Sequence, residues 1–446
     1  MKKYPIEEGF AFAGPMSRRR VVQSLGASVA LGGLAGLAGC TGITEPPPTK
    51  KLGRVAVVGA GFGGATAARY LKMWAGPSVD VWLYDRSAQF VSCPLSNLVV
   101  GGSRKIESLA VSYQGLRDSG IVVLQDEVTA LDPVKRRLSF HKFADQTFDR
   151  IIVAPGIDFL FDQVQGYGAE AQKTITHAWR AGPQTVTLRQ QLEAMPNGGV
   201  FVIAIPLAPY RCPPGPYERI CQVAHYFKTS KARSKIIVLD ANPEIISKKG
   251  LFTKAYDEEF RGFVDYRPNS RVTEIDAQGN TFITELGDRV KGDVLNLIPP
   301  QRAGDLIVKA GLANANNRWA QVDWITMEST AAKGIHVLGD ATFSAPAMPK
   351  SGHMANQHGK AAAAAVLDLL AGREVRPSTM ANTCYSFIND RDVVHVASVH
   401  QFDTGQKTMV TVKGSGGLSA AANPTEGAYA QSWAENIWAD MFAKLA

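Results

Sequence analysis

The stretch GRVAVVGAGFGGATAARYLKMWAGPSVDVWLYDR, residues 53–86, leaves the chain little freedom in how its fold begins. An apolar run at 55–58 reads as a buried strand. It meets Gly59-x-Gly61-x-x-Gly64, then an alanine-rich helical segment, then a second apolar run that ends at Asp85. Gly59 permits the tight turn, Gly61 lets backbone amides approach a pyrophosphate, and Gly64 lets the helix pack closely on the strand, with the helix N-terminus facing the phosphates. Asp85, 21 residues past Gly64, stands where a carboxylate hydrogen-bonds a ribose hydroxyl. Strand, glycine turn, helix, second strand and acid together predict a parallel α/β unit that binds a dinucleotide.

Two later pieces decide which dinucleotide. FDRIIVAPGI (148–157) is a strand that ends in Ala154-Pro155-Gly156, and GIHVLGDAT (334–342) is a strand that ends in Gly339-Asp340. In this order and spacing they resemble elements of the glutathione-reductase-like flavoproteins, which have two dinucleotide domains. The resemblance implies FAD, with Asp340 on its ribityl chain. A helix that begins near Pro349–Ser351 would stabilise negative charge on a reduced ring, and Lys350 is expected to reinforce it. His353 and His358 read as hydrogen-bonded structural histidines.

Such proteins usually carry a second unit for NAD(P)H. Residues 166–300 have its outline: a strand at 199–205, a helix at about 216–229 and a strand ending in Asp240. The turn that should hold a second glycine fingerprint reads PLAPYRCPPGP instead, and prolines have no N–H to offer a phosphate. This half predicts a nucleotide fold without its nucleotide, with Cys212 in the vacated turn.

The five cysteines are Cys40, Cys93, Cys212, Cys221 and Cys384. They form no C-x-x-C, so neither a zinc ribbon nor a thioredoxin motif is supported, no metal site is expected, and the chain lacks the usual attachment for a c-type haem. Disulfide reductases of this superfamily place C-x-x-x-x-C near Cys93, yet five residues on stands Leu98. Cys93 is therefore either an inert buried thiol or one covalently bonded to the flavin.

VVGAGFGGATAARYLK, VSCPLSNLVVGG, PYRCPPGPYER and TCYSF, in this order, resemble the flavoprotein subunit of flavocytochrome c sulfide dehydrogenase over essentially the whole chain after the leader. The resemblance implies that Cys93 joins the 8α-methyl of FAD as a thioether, and that Cys212 and Cys384 form a redox-active disulfide beside the ring. It further implies that Glu218 serves as the active-site base and that electrons leave through a haem-bearing cytochrome c subunit. Hydrosulfide would open the disulfide to a persulfide and a thiolate, which a helix N-terminus near Pro216 would stabilise. For Glu218 the plainer role is a first-turn acid that complements the helix dipole. Cys221 falls outside these roles and reads as a structural thiol.

The fold expected is α/β and glutathione-reductase-like. Two Rossmann-type domains are followed by a small α+β interface domain that brings Cys384 over the flavin. The divisions are a twin-arginine signal at 1–40, a linker at 41–51, FAD-domain segments at 52–165 and 307–375, the nucleotide-like domain at 166–306, and the C-terminal domain at 376–446. Ser17-Arg18-Arg19 before a weakly apolar Gly/Ala stretch predicts export to the periplasm by the twin-arginine route, with translation starting at Met1 or Met16. Leu37-Ala38-Gly39-Cys40 is either a lipobox, with Cys40 lipid-anchored, or ordinary cleavage among small residues. The formal charge of +8 falls to +5 beyond residue 40 and is dispersed, so nucleic acid is not an expected partner. Two other readings share these residues: a sulfide:quinone oxidoreductase, and a non-catalytic flavoprotein that binds and activates a sulfur-oxidising complex.

Overall fold

The computed structural model describes residues 50–445, so the leader, Cys40 and most of the linker lie outside the described residues. Gly53–Val58 is the middle of a five-stranded parallel sheet. Val79–Asp85 and then Val122–Gln125 lie to one side, Arg150–Val153 and then Ile335–Val337 to the other. Val55, Ala56 and Val57 are fully buried, which is why the strand is a continuous apolar run rather than an alternating one. Gly59 turns the chain out of the strand at φ 93°, where a Cβ would lie 2.4 Å from the Ala154 carbonyl oxygen. At Gly64 a Cβ would lie 1.8 Å from the Gly59 oxygen, so the helix Phe62–Ala75 can seat on the turn only with glycine there.

A second helix, Gly352–Leu370, packs along the first. The approach is close enough that a Cβ on Gly359 would lie 2.5 Å from the Gly63 oxygen, and the run of alanines at 361–365 is the composition such closeness demands. Ser351 caps this helix by accepting from Met354 N at 3.0 Å.

Val264–Arg267, Lys235–Asp240, Val200–Ile205 and Val294–Leu297 form a second, four-stranded parallel sheet. At the end of its Lys235–Asp240 strand, Asp240 accepts from the hydroxyls of Tyr217 and Tyr266, both at 2.8 Å, and from Asn242 N at 2.9 Å and Nδ2 at 2.7 Å. All of its acceptor positions are spent on the chain itself, so no ribose could be bound there.

The third layer is an antiparallel sheet. Met380–Phe387 pairs with Val393–Asp403, which pairs with Thr408–Thr411 and with Gly417–Leu418. A helix, Pro424–Phe442, follows and is capped by Asn423, which accepts from Glu426 N at 2.9 Å. Phe442 reaches Phe90 and Tyr113, with ring centroids 5.1 and 5.8 Å away. Trp433 and Trp438 are half-buried against the core.

Asp440 ties this last helix to the other two. It accepts from Tyr70 Oη at 2.6 Å and from Asn356 Nδ2 at 2.8 Å, and pairs with Lys360 at 2.9 Å, while Asn356 also donates to Thr66 Oγ1 at 2.9 Å. Burial raises its carboxyl, but Tyr70, Asn356 and Lys360 outweigh it and the group ends below the usual Asp range. Its stabilisation is therefore present above the ordinary Asp pKa and is lost as pH falls through the lower folded value. Asp440→Ala should cost about 2 kcal/mol at neutral pH, and the gap from the parent should close in acid; equal denaturant midpoints at pH 7 would refute the tie.

Candidate active site

A cavity of about 750 Å³ runs between the three layers, large enough for a cofactor. Its walls include Gly59, Gly61 and Asp85 from the first turn, Pro155, Gly156, Gly339 and Asp340 from the two neighbouring strand ends, and Cys93, Cys212, Glu218 and Cys384. A Cβ at Gly61 would meet nothing within 4 Å, so the glycine opens the wall rather than avoiding a clash. Asp85 holds the turn, accepting from Ala60 N and Ser87 N at 2.7 Å each. Asp340 Oδ1 is buried and finds no partner in the protein, and Trp179 Nε1 on the same cavity is in the same position. An orphan acceptor beside an open glycine turn suits the hydroxyls and phosphates of a flavin dinucleotide.

Cys212 occupies a turn held from several sides. Its φ is 57°, a left-handed conformation that costs a non-glycine residue energy, and its N–H donates to the Lys350 carbonyl at 2.8 Å. Three residues on, Gly215 opens the helix Gly215–Ser230. A Cβ there would sit 2.8 Å from the Trp179 ring and 2.9 Å from Cys212 Sγ, so glycine at this point clears room for the sulfur. Burial, then the neighbouring Cys384 and Glu218, push the Cys212 thiol well up, with Arg211 and Lys248 opposing.

Glu218 lies in the first turn of that helix but is not a solvated cap. It is buried, with one oxygen accepting from Phe387 N at 2.9 Å and the other from Asn97 Nδ2 at 2.9 Å. Burial raises its carboxyl, opposed by those two bonds and by Lys248 and Arg219. Arg219 is buried as well. It donates to Asn97 Oδ1 at 3.1 Å, His177 O at 3.0 Å, Asn296 Oδ1 at 2.9 Å and Ala178 O at 2.7 Å, and its guanidinium lies 5.0 Å from the Trp179 ring centroid.

Cys384, on Met380–Phe387, has its sulfur 3.4 Å from Asn382 Nδ2, and Asn382 Oδ1 in turn accepts from Ser351 Oγ at 2.6 Å. Cys93 follows the short strand Gln89–Val91 and faces the cavity, whereas Cys221 is fully buried and does not line it. All four of these cysteines are free thiols. Gly64 lies off the cavity, against Gly59.

Lys350 requires a correction: it does not reach the cavity. Its ammonium is buried 3.8 Å from the Trp319 ring centroid and donates to the carbonyls of Asp340, at 3.0 Å, and Thr342. Burial brings it down to about 7. What Lys350 contributes to the site is its backbone oxygen, on which Cys212 hangs. His353 Nδ1 accepts from Thr383 N at 3.0 Å and His358 Nδ1 from Gly339 N at 3.1 Å.

Asn97, Trp179, Arg219, Lys248 and Asn382 surround the thiols, and sequence reasoning assigned none of them.

Residues 185–299 match the family described as the sulfide dehydrogenase [flavocytochrome c] flavoprotein chain, central region, and residues 376–442 match the flavocytochrome c sulphide dehydrogenase flavin-binding family. Residues 53–193 match the pyridine nucleotide-disulphide oxidoreductases. The flavoprotein chain of flavocytochrome c sulfide dehydrogenase from Chlorobaculum thiosulfatiphilum is 52% identical over 46 residues, 10% of this chain and 94% of that sequence. The mitochondrial sulfide:quinone oxidoreductase of Dictyostelium discoideum is 22% identical over 309 residues, 67% of each chain. Among solved structures, the sulfide:quinone oxidoreductase of Aquifex aeolicus superposes with a TM-score of 0.70 at 17% identity, covering 87% of this chain and 91% of that one. Putidaredoxin reductase, in its covalent complex with putidaredoxin, gives 0.63 at 17% identity, covering 87% and 94%. Both share the α/β architecture of two dinucleotide-type folds, and the chain belongs to the family of the flavocytochrome c sulfide dehydrogenase flavoprotein chain.

Proposed function

We propose that the chain is the exported flavoprotein of a sulfide dehydrogenase. It oxidises hydrosulfide through a redox pair formed by Cys212 and Cys384, and delivers the electrons to a c-type cytochrome subunit in the periplasm. The observation that carries this reading is the convergence of Cys212, Cys384 and Glu218 on the same cavity as the glycine turn and Asp340. The twin-arginine leader supplies the route to the periplasm, with Cys40 either lipid-anchored or removed with the leader.

FAD, when bound, supplies an acceptor for two electrons that can be handed on one at a time. Gly59, Gly61, Asp85, Pro155, Gly156, Gly339 and Asp340 would hold it, and Cys93 would carry it covalently. The chain's own part is thiol chemistry. Hydrosulfide forms a bond to Cys212 Sγ as the Cys212–Cys384 bond breaks, and the electron pair of that bond stays on Cys384 Sγ. Glu218 takes the proton of the resulting persulfide. The net change is hydrosulfide to sulfane sulfur, one proton and two electrons, with the cysteine pair restored.

The likeness to sulfide:quinone oxidoreductases favours a second reading, in which the acceptor is a quinone. Among the described residues no helix is long and apolar enough to cross a membrane. Turnover with cytochrome c against turnover with a soluble quinone separates the two.

Sulfide mixed anaerobically with the flavin-loaded protein should bleach its absorbance rapidly, and NADH should not, because Asp240 and the proline turn offer it no site. Cys212→Ala and Cys384→Ala should each slow that bleaching by on the order of a thousandfold while leaving the bound flavin visible; full speed in either would remove the cysteine pair from the mechanism. Cys93→Ser should release its flavin on denaturation, whereas flavin that stays attached would end the covalent assignment. The bleaching rate should fall as pH drops through a value above the ordinary Glu range, since burial raises Glu218, and Glu218→Gln should lose that limb of the profile.

A further inference from the structure

Lys248 lies in the loop after Lys235–Asp240, in a Ser-Lys-Lys-Gly run that would pass for surface charge. It is 5% exposed, with a left-handed φ of 53° that turns it inward. Its ammonium sits beneath the Cys384 strand. It donates to the carbonyl of Cys384 itself at 2.8 Å, to Ser386 Oγ at 2.8 Å, and to the Val394 carbonyl, across the strand pair, at 3.4 Å. Three neutral acceptors satisfy its hydrogens but leave its charge uncompensated, and a buried charge without a counter-charge is expensive.

The groups that face this cation come from every element around it. Cys384 acts most strongly, followed by Glu218 on Gly215–Ser230, Cys212 in the turn before it, and Glu426 on Pro424–Phe442. Arg219 acts on the same Glu218 and Cys212, and Arg211 on the same Cys212. Burial lowers Lys248 to about 8, and the acidic groups hold it up against that cost. At neutral pH the lysine remains protonated.

We propose that Lys248 is the positioning cation of the cysteine pair: held under the Cys384 strand, it stabilises the sulfur anion left on Cys384 when the Cys212–Cys384 bond opens. This rests on the cysteine pair proposed above. The asymmetry of the site gives the step its direction. The Cys384 side has the ammonium below it and the Asn382 amide at 3.4 Å, whereas Cys212 has the Glu218 carboxylate for a neighbour, which disfavours a second negative charge. Bond opening by hydrosulfide at Cys212 thus leaves the electron pair on the sulfur that has the cation. Lys248 does not line the cavity, so it acts through Cys384 rather than on the donor.

The test uses the flavin-loaded protein, chemically reduced and then alkylated with iodoacetamide across a pH series, with Cys384 modification followed by peptide mass. Lys248→Met keeps the buried volume and removes the charge. In it Cys384 should be modified about tenfold more slowly than in the parent at pH 7. Lys248→Arg should stay near the parent. Ser386→Ala, which removes one acceptor and leaves the charge, should shift the profile less than Lys248→Met does, and it serves if Lys248→Met fails to fold. An unchanged Cys384 profile in a folded Lys248→Met protein with a normal flavin spectrum would overturn the proposal. Failure of the underlying reading looks different: the protein as purified would then take up label at both cysteines without prior reduction, whatever residue 248 is.

Discussion

Two opposite charges adjacent in sequence and both out of water, Glu218 and Arg219, are the constraint on which the rest of this structure depends. Neither could be buried alone at acceptable cost. Their partners come from segments far apart: Asn97 from the first unit, His177, Ala178 and Asn296 from the second, and Phe387 from the antiparallel sheet. Satisfying one helical turn therefore fixes the relation of all three layers, and with it the walls of the cavity. Truncating Asn97 or Asn296, which bond through their side chains, would leave a charge short of a bond where water cannot replace it. The cavity's shape thus depends on polar satisfaction as well as on the apolar packing around it.

The first unit was legible because its signal is backbone geometry. The spacing Gly59-x-Gly61-x-x-Gly64 records where a Cβ cannot fit, and a clash of 1.8 or 2.4 Å can be inferred from the residue type before any coordinate is known. The second unit was legible as an outline and as a missing glycine loop. That Asp240 would be occupied was not, since its hydroxyl partners lie 23 residues before it and 26 after it.

Charged residues were the least legible. Lys350 and Lys248 stand in polar or proline-rich loops, which on the page imply solvent, and both are buried. A lysine's burial depends on whether carbonyls converge on its ammonium, and those carbonyls come from other parts of the chain: Asp340 and Thr342 for one, Cys384 and Val394 for the other. Composition carries no trace of that convergence. Cys212 and Cys384 could be singled out because cysteine is rare here and the words around it are distinctive, but the left-handed turn that aims Cys212 is invisible in a sequence of prolines.

The clasp of Tyr217 and Tyr266 on Asp240 closes the second fold to a ribose. Tyr217 also sits one residue before Glu218, on the turn that presents the acid to the cavity. Freeing Asp240 to serve a nicotinamide cofactor would therefore leave the Tyr217 hydroxyl without its buried acceptor, one residue from Glu218. A lineage that began from a working nicotinamide enzyme could reach this arrangement by filling an empty acceptor one hydroxyl at a time. Going back would require it to give up the Tyr217 and Tyr266 bonds before any new ligand could compensate, so the first step of that return would cost stability.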